Sequence, residues 1–311
     1  MPDTTLPPIL VLGGGPDAER EVSLLSSKGV ADALQGLGHE VHYHVIDRLD
    51  AAALKALPGR VVFPVLHGGW GEGGALQELL EVGGRPFVGC KAPAARLAMD
   101  KMGTKLAAAM LGIPTAAAAI INPADGGLPF DAPAVLKPVH EGSSVGLHVC
   151  KDQAKLDAAR EAVRADMAAH PSRVYMVERG IMGGRELTVA VLDGEPLAIV
   201  EIRPAEGVYD YQAKYFRKDT QYVTQPDLPG DPTTSATIRG HAKALFRGMG
   251  CRHLARVDFI LSPDGVGYLL EANTMPGFTG QSLVPKAAAH AGISYSSLCE
   301  MLVGFALRDG A

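Results

Sequence analysis

The sequence predicts an α/β protein of three parts: a parallel sheet covered by helices, a small α+β domain, and an α+β domain built on an antiparallel sheet. Three observations predict it. Short runs of Val, Ile and Leu alternate with helical stretches over residues 1–96, the rhythm of a parallel sheet. Asp193-Gly194 and Asp264-Gly265 each separate two apolar runs, a hairpin signal. A chain of 311 residues is long enough for two or three cores.

In the first part, "PILVLGGG" reads as a buried strand ending in a glycine loop, and a helix runs from near Glu19 to about Leu37. Strands follow at 41–46 and 61–66, then a helix over 74–84 that ends on glycine. In the second part, 97–179, a helical stretch "AMDKMGTKLAAAMLG" is stopped by Gly112 and Pro114. Short strands are expected at 117–121 and 134–137, then the loop "EGSSVG" leads into a strand at 145–149. Leu156, Ala159, Val163 and Met167 recur at helical spacing, and "VYMVER" (174–179) closes the part as a strand. The third part, 180–311, opens with the hairpin 185–204. A polar loop at 205–225 follows, long enough to be functional. A helix carrying Ile238, Ala242, Leu245 and Met249, a second hairpin and a last helix complete it.

Composition narrows the function. With 47% hydrophobic and 20% charged residues the chain is an ordinary soluble protein. A net charge of −5 gives no nucleic-acid footprint and no basic membrane patch. Cys90, Cys150, Cys251 and Cys299 form no C-x-x-C pair. Neither a zinc site nor a disulfide frame is expected, and a reducing, cytoplasmic compartment fits. The first residues lack the basic n-region and apolar core of a signal peptide.

The second hairpin concentrates chemistry. If Asp264 and Gly265 make the turn, Asp258 faces Glu271 and Arg256 faces Asn273, all on one face; an odd-length loop would undo that pairing. Two carboxylates and a carboxamide suit a hard divalent cation such as Mg²⁺, although a solvated polar face with cross-strand ion pairs is compatible too. Opposed carboxylates repel unless a cation lies between them, which favours metal. Lys137 precedes a loop with Gly142, Ser143, Ser144 and Gly146, whose amides, hydroxyls and lysine suit phosphate; plain hairpin loops have the same composition. No P-loop pattern exists.

Eight motifs then occur in order: "AEREVSLLS" (18–26), "LHG" (66–68), "MDK" (99–101), "KPVHEGSSVG" (137–146), "GRELTVAVL" (184–192), "YDYQAKY" (209–215), "ARVDF" (255–259) and "LLEANTMPGFTGQSLVP" (269–285). Together they resemble the D-alanine–D-alanine ligase family of the ATP-grasp superfamily, over essentially the whole chain. The resemblance implies a three-domain ATP-grasp fold, with ATP held between the central and C-terminal domains. It implies Lys101, Lys137 and Ser144 at the ATP phosphates, Glu178 with Gly180 and Ile181 at adenine, and Glu186 at ribose. It implies two Mg²⁺ ions, with Mn²⁺ a possible substitute, on Asp258, Glu271 and Asn273. On the substrate side it implies Glu19 at the ammonium of the first D-alanine and His67 close by, with Ser143 and Tyr215 hydrogen-bonded to Glu19. Lys214 would reach the transferred phosphate, Arg256 and the Gly277 amide would stabilise an oxyanion, and Ser282 and Leu283 would bind the second D-alanine. Tyr215 goes with dipeptide rather than ester formation, and 205–225 would be a lid. The implied product is D-alanyl-D-alanine, made through an acyl phosphate for peptidoglycan precursors, and a homodimer is expected.

Two departures stand out. The stretch 178–186 is one residue longer than usual, and Gly73 stands where the family often has aspartate. Rival readings weigh less. A dinucleotide-binding oxidoreductase would explain Gly13-x-Gly15-x-x-Ala18 but not Lys137, Asp258 or Glu271. Another ATP-grasp carboxylate–amine ligase would not need Glu19, Ser143 and Tyr215 together, and a non-catalytic ATP-binding protein would not keep every polar position filled.

Overall fold

The computed structural model describes residues 6–122, 127–204, 219–229 and 232–310. Strand β1 (Ile9–Gly14) is central in a parallel sheet, flanked by β2 (Val41–Ile46) and β3 (Val61–Pro64). Helices α1 (Arg20–Gly36), α2 (Ala51–Ala56), α3 (Gly68–Gly71) and α4 (Ala75–Gly83) connect and cover it. β1 is apolar without interruption because both its faces are buried: Ile9 and Val11 enter one core, Leu10 and Leu12 the other. The expected third strand is shorter, ending at Pro64 rather than residue 66.

The helical stretch expected near 100 is two helices, α5 (Ala92–Met99) and α6 (Lys101–Met110). Asp100 breaks them because its backbone is extended and its carboxylate accepts the Gly103 N–H at 2.9 Å, starting α6 as an N-cap. A second, antiparallel sheet has the order β4 (Ala118–Ile120), β7 (Tyr175–Arg179), β5 (Ala134–Pro138), β6 (His148–Cys150), with α7 (Gln153–Ala169) packed on it. β6 starts at His148, not residue 145, because residues 142–147 turn twice through i→i+3 hydrogen bonds.

The third sheet is antiparallel, ordered β10 (Gln221–Thr224), β9 (Glu195–Arg203), β8 (Arg185–Leu192), β11 (Leu254–Leu261), β12 (Gly267–Asn273). Asp193 and Gly194 have φ of 49° and 82°, so the expected hairpin closes in a two-residue turn with both residues left-handed. The lid expectation for 205–225 needs a correction. Gln221–Thr224 form edge strand β10 against Val200–Arg203, because Tyr222 packs into the core beneath that edge. Residues 205–218, including Lys214 and Tyr215, lie outside the described residues.

The sheet's two faces serve two cores. Leu187, Val189 and Val191 pack with α8 (Thr234–Gly248) and with Ala98, Ala108 and Ile113 of the α5–α6 region. Ala190, Leu192, Val200 and Ile202 pack with α9 (Leu283–His290) and α10 (Tyr295–Asp309), which also cover Ile9, Val11 and Phe63 of the first sheet. Sheets one and three are thereby joined through a shared core, with Phe278 wedged between Phe63 and Tyr295. Among the described residues no helix is long and apolar enough to cross a membrane.

Candidate active site

The β11–β12 hairpin sets the site. Arg256 pairs with Asn273 and Asp258 with Glu271, as the alternation requires. The route differs from a tight turn at Asp264-Gly265. The last pair is Leu261 with Gly267, so the loop has an odd length, which alone would turn the polar face over. A β-bulge between Asp258 and Phe259 restores the pairing by placing Leu270 as an extra residue on β12. Asp258 accepts from Thr188 Oγ1 at 2.6 Å and receives both arms of Arg256, Nε at 2.9 Å and a terminal nitrogen at 2.7 Å. Glu271 lies 3.4 Å from Lys101 Nζ. Asn273 Oδ1 accepts the Met275 N–H at 3.1 Å. This donor set fits a hard divalent cation. Two carboxylates face one another across the strands with a carboxamide oxygen beside them, and Arg256 and Lys101 pair with them.

Sheets two and three enclose a cleft lined by Lys101, Lys137, Ser143, Ser144, Glu178, Ile181, Glu186, Asp258 and Glu271. Of the residues expected at nucleotide and metal, Lys101, Lys137, Ser144, Glu178, Ile181, Glu186, Asp258 and Glu271 line this one cavity, while Asn273 lines a second hollow together with Lys101 and Glu271. Val135, Leu147, Val149, Met182, Ile260 and Leu270 supply apolar walls, suited to a planar base. Gly180 does not line it. Its N–H donates to Pro133 O at 2.9 Å, and it borders a separate hollow lined by Phe130 and Pro133. Glu178 is buried, with Lys137 at 2.6 Å and Lys105 at 2.8 Å on its two oxygens. Burial pushes its carboxyl up, and the two lysines overcome that and hold it below the ordinary glutamate value. Lys105 was not among the sequence candidates, although it lies four residues after Lys101 on the same helix face.

At the mouth of the cleft Glu19 occupies the N-cap position of α1, yet its side chain caps nothing there. It receives a hydrogen bond from Ser143 Oγ, joining the first sheet's loop to the glycine-serine loop. A Cβ on Gly142 would stand 3.0 Å from Glu19 Oε2, so glycine is what lets this loop come close. His67 is buried, and its Nδ1–H donates to Met275 O at 2.9 Å. Glu72 accepts from Met275 N at 3.3 Å and Gly68 N at 3.1 Å, so His67 and Glu72 grip both polar groups of Met275. Gly277 follows in that same segment. Ser282 caps the start of α9 by position, and its Oγ accepts the Thr279 N–H at 3.0 Å. Leu283 is core, with its side chain among those of α9 and α10. A Cβ on Gly73 would meet Gly69 O at 2.3 Å, so this loop has no room for an aspartate there. Trp70 packs partly into the first unit's core, and its backbone N–H donates to Asp17 Oδ2 at 3.2 Å.

With this geometry established, comparison with known proteins is informative. The family model described as D-ala D-ala ligase C-terminus matches residues 128–304. The D-alanine–D-alanine ligase of Anaeromyxobacter sp. (strain Fw109-5) is 43% identical over 310 residues, covering 96% of this chain and 97% of that protein. The D-alanine–D-alanine ligase B of Chromobacterium violaceum is 42% identical over 298 residues, with 94% and 95% covered. Among solved structures, that of the D-alanine–D-alanine ligase from Bacillus anthracis complexed with ATP superposes with a TM-score of 0.80 at 27% identity, covering 97% of this chain and 98% of that one.

Proposed function

The chain belongs to the D-alanine–D-alanine ligase family, of ATP-grasp fold, and we propose from that premise that it joins two D-alanine molecules at the expense of ATP for peptidoglycan precursor synthesis. The observation that carries the reading is the single cleft gathering Lys101, Lys137, Glu178, Glu186, Asp258 and Glu271, with Glu19 and Ser143 at its mouth. Domains of 1–96, 97–179 and 180–311, a cytoplasmic location and a homodimer complete the proposal.

ATP lies with its base against Ile181 and Met182 and its 6-amino group toward Glu178. Its ribose is at Glu186 and its phosphates are toward Lys101, Lys137 and Ser144. Asp258, Glu271 and Asn273 would hold two Mg²⁺ ions, which Mn²⁺ could replace. When bound, the metal disperses charge on the triphosphate and the transferred phosphoryl group. Glu19, buttressed by Ser143 and Tyr215, binds the ammonium of the first D-alanine, with His67 beside it. The carboxylate of that D-alanine attacks the γ-phosphorus and ADP leaves, with Lys214 at the moving phosphoryl group. Ser282 and Leu283 place the second D-alanine. Its free amine attacks the acyl phosphate carbonyl, Arg256 and the Gly277 amide bear the oxyanion charge, and phosphate departs.

Phosphate release with ATP and Mg²⁺ tests this in the presence of D-alanine, L-alanine or neither. Release only with D-alanine, accompanied by the dipeptide, supports the reading. Release with another amino acid instead transfers it to a different carboxylate–amine ligation, and NADH binding without ATP turnover would replace it.

A further inference from the structure

We propose that Lys105 is a positioning residue that keeps Glu178 an ionised hydrogen-bond acceptor, and so sets the preference of the cleft for a 6-amino purine over a 6-oxo purine. The inference rests on Glu178 reading the base. The Lys105 ammonium donates hydrogen bonds to Thr115 Oγ1 at 2.7 Å and Ala116 O at 3.1 Å, and forms an ion pair with Glu178 Oε2 at 2.8 Å. Lys105 is buried in α6 and does not line the cleft. Thr115 is itself fixed to β12, its Oγ1 donating to Leu269 O at 3.2 Å. This ammonium is therefore anchored in the framework and has no reach to a ligand. Lys137 differs. It lines the cleft, and its bond to Glu178 Oε1 is the one it must give up to face a phosphate.

Once Lys137 turns to the nucleotide, Lys105 alone balances a carboxylate that is almost wholly buried. Without Lys105 the carboxyl group is driven toward its neutral form by burial. A carboxylate can only accept, which matches an amino group; a protonated carboxyl can donate, which matches a carbonyl. Lys105 from α6 and Lys137 from β5 are the charged groups against Glu178. Its β-strand partners Ala118 and Val135 carry no charge, and Glu186, Asp258 and Glu271 line the cleft from β8, β11 and β12.

The test is calorimetric binding of ATP and of inosine triphosphate to the full chain at pH 6 and pH 8, for wild type, Lys105→Met, Lys105→Arg and Thr115→Val. Circular dichroism checks folding of each. Wild type is expected to prefer ATP at both pH values. K105M is expected to weaken ATP binding at least tenfold at pH 6, less at pH 8, with the ATP-to-inosine ratio shrinking at pH 6. K105R should restore most of the preference, and T115V, which removes an anchor and keeps the lysine, should shift it in the K105M direction by a smaller factor. If K105M does not fold, T115V against wild type decides. Folded variants with wild-type ratios at both pH values overturn the role of Lys105 alone. A wild type that binds both nucleotides equally overturns the base-reading role of Glu178 and this inference with it.

Discussion

Replacing His253 with Asn should remove a specific part of the protein's acid sensitivity. His253 is fully buried, and its Nδ1 accepts the Gly89 N–H at 3.1 Å, so that nitrogen carries no proton. Its Nε2–H faces Asp309 Oδ2 at 3.2 Å. Burial first, then the neighbouring Arg252, pushes the ring's pKa from 6.5 down to about 4, against the pull of Asp309. A histidine depressed in the folded state is neutral there while the unfolded chain takes up a proton below pH 6.5. Its contribution is complete above that value and is lost as pH falls toward 4. The full gap corresponds to about 3 kcal/mol, of which about 2 kcal/mol has gone by pH 5. Asp309 stays ionised throughout, because Arg308 holds it down to about 2. Asn suits the φ of 63° at this position and does not titrate. Urea unfolding of wild type and H253N at pH 8 and pH 5 measures the effect. The stability difference between the two proteins should narrow by about 2 kcal/mol at the lower pH. Parallel losses in both would refute the reasoning, since all other titrating groups are shared.

Two further perturbations address the site. Ser143→Ala removes the hydrogen bond to Glu19, a bond to a charged group worth about 1.5–3 kcal/mol. Steady-state kinetics should show KM for the first D-alanine raised about 10–100-fold with KM for ATP unchanged, and an equal rise in both would contradict the division between the cleft and its mouth. Arg256→Met should lower kcat by about 10²–10³ in initial-rate assays; a kcat within twofold of wild type would remove Arg256 from oxyanion stabilisation.

Much of this was legible in the sequence because alternation carries facing. Arg256, Asp258, Glu271 and Asn273 share a face through their spacing, and the structure pairs them so. The path was not legible, because an odd loop and the bulge at Leu270 cancel one another, and only strand pairing reveals a bulge. The Gln221–Thr224 edge strand was hidden for a related reason: a four-residue segment with polar ends has too short an alternation to stand out from a loop. Helical periodicity shows that α10 buries a stripe but not that the stripe rests on the first sheet as well as the third. Nothing in the sequence marks Lys105 as buried, since a helical lysine is usually solvated. Its i+4 spacing from Lys101 was visible, but the buried Glu178 that gives it a partner comes from a strand seventy-three residues later.

The central claim is that the carboxylate of one D-alanine is activated by phosphoryl transfer before the amine of the second attacks. The direct measurement is the oxygen content of the released phosphate when the reaction runs on D-alanine labelled with ¹⁸O in its carboxylate. The account predicts one ¹⁸O per phosphate and one retained in the new amide carbonyl, as an acyl phosphate requires. Unlabelled phosphate alongside dipeptide would contradict it.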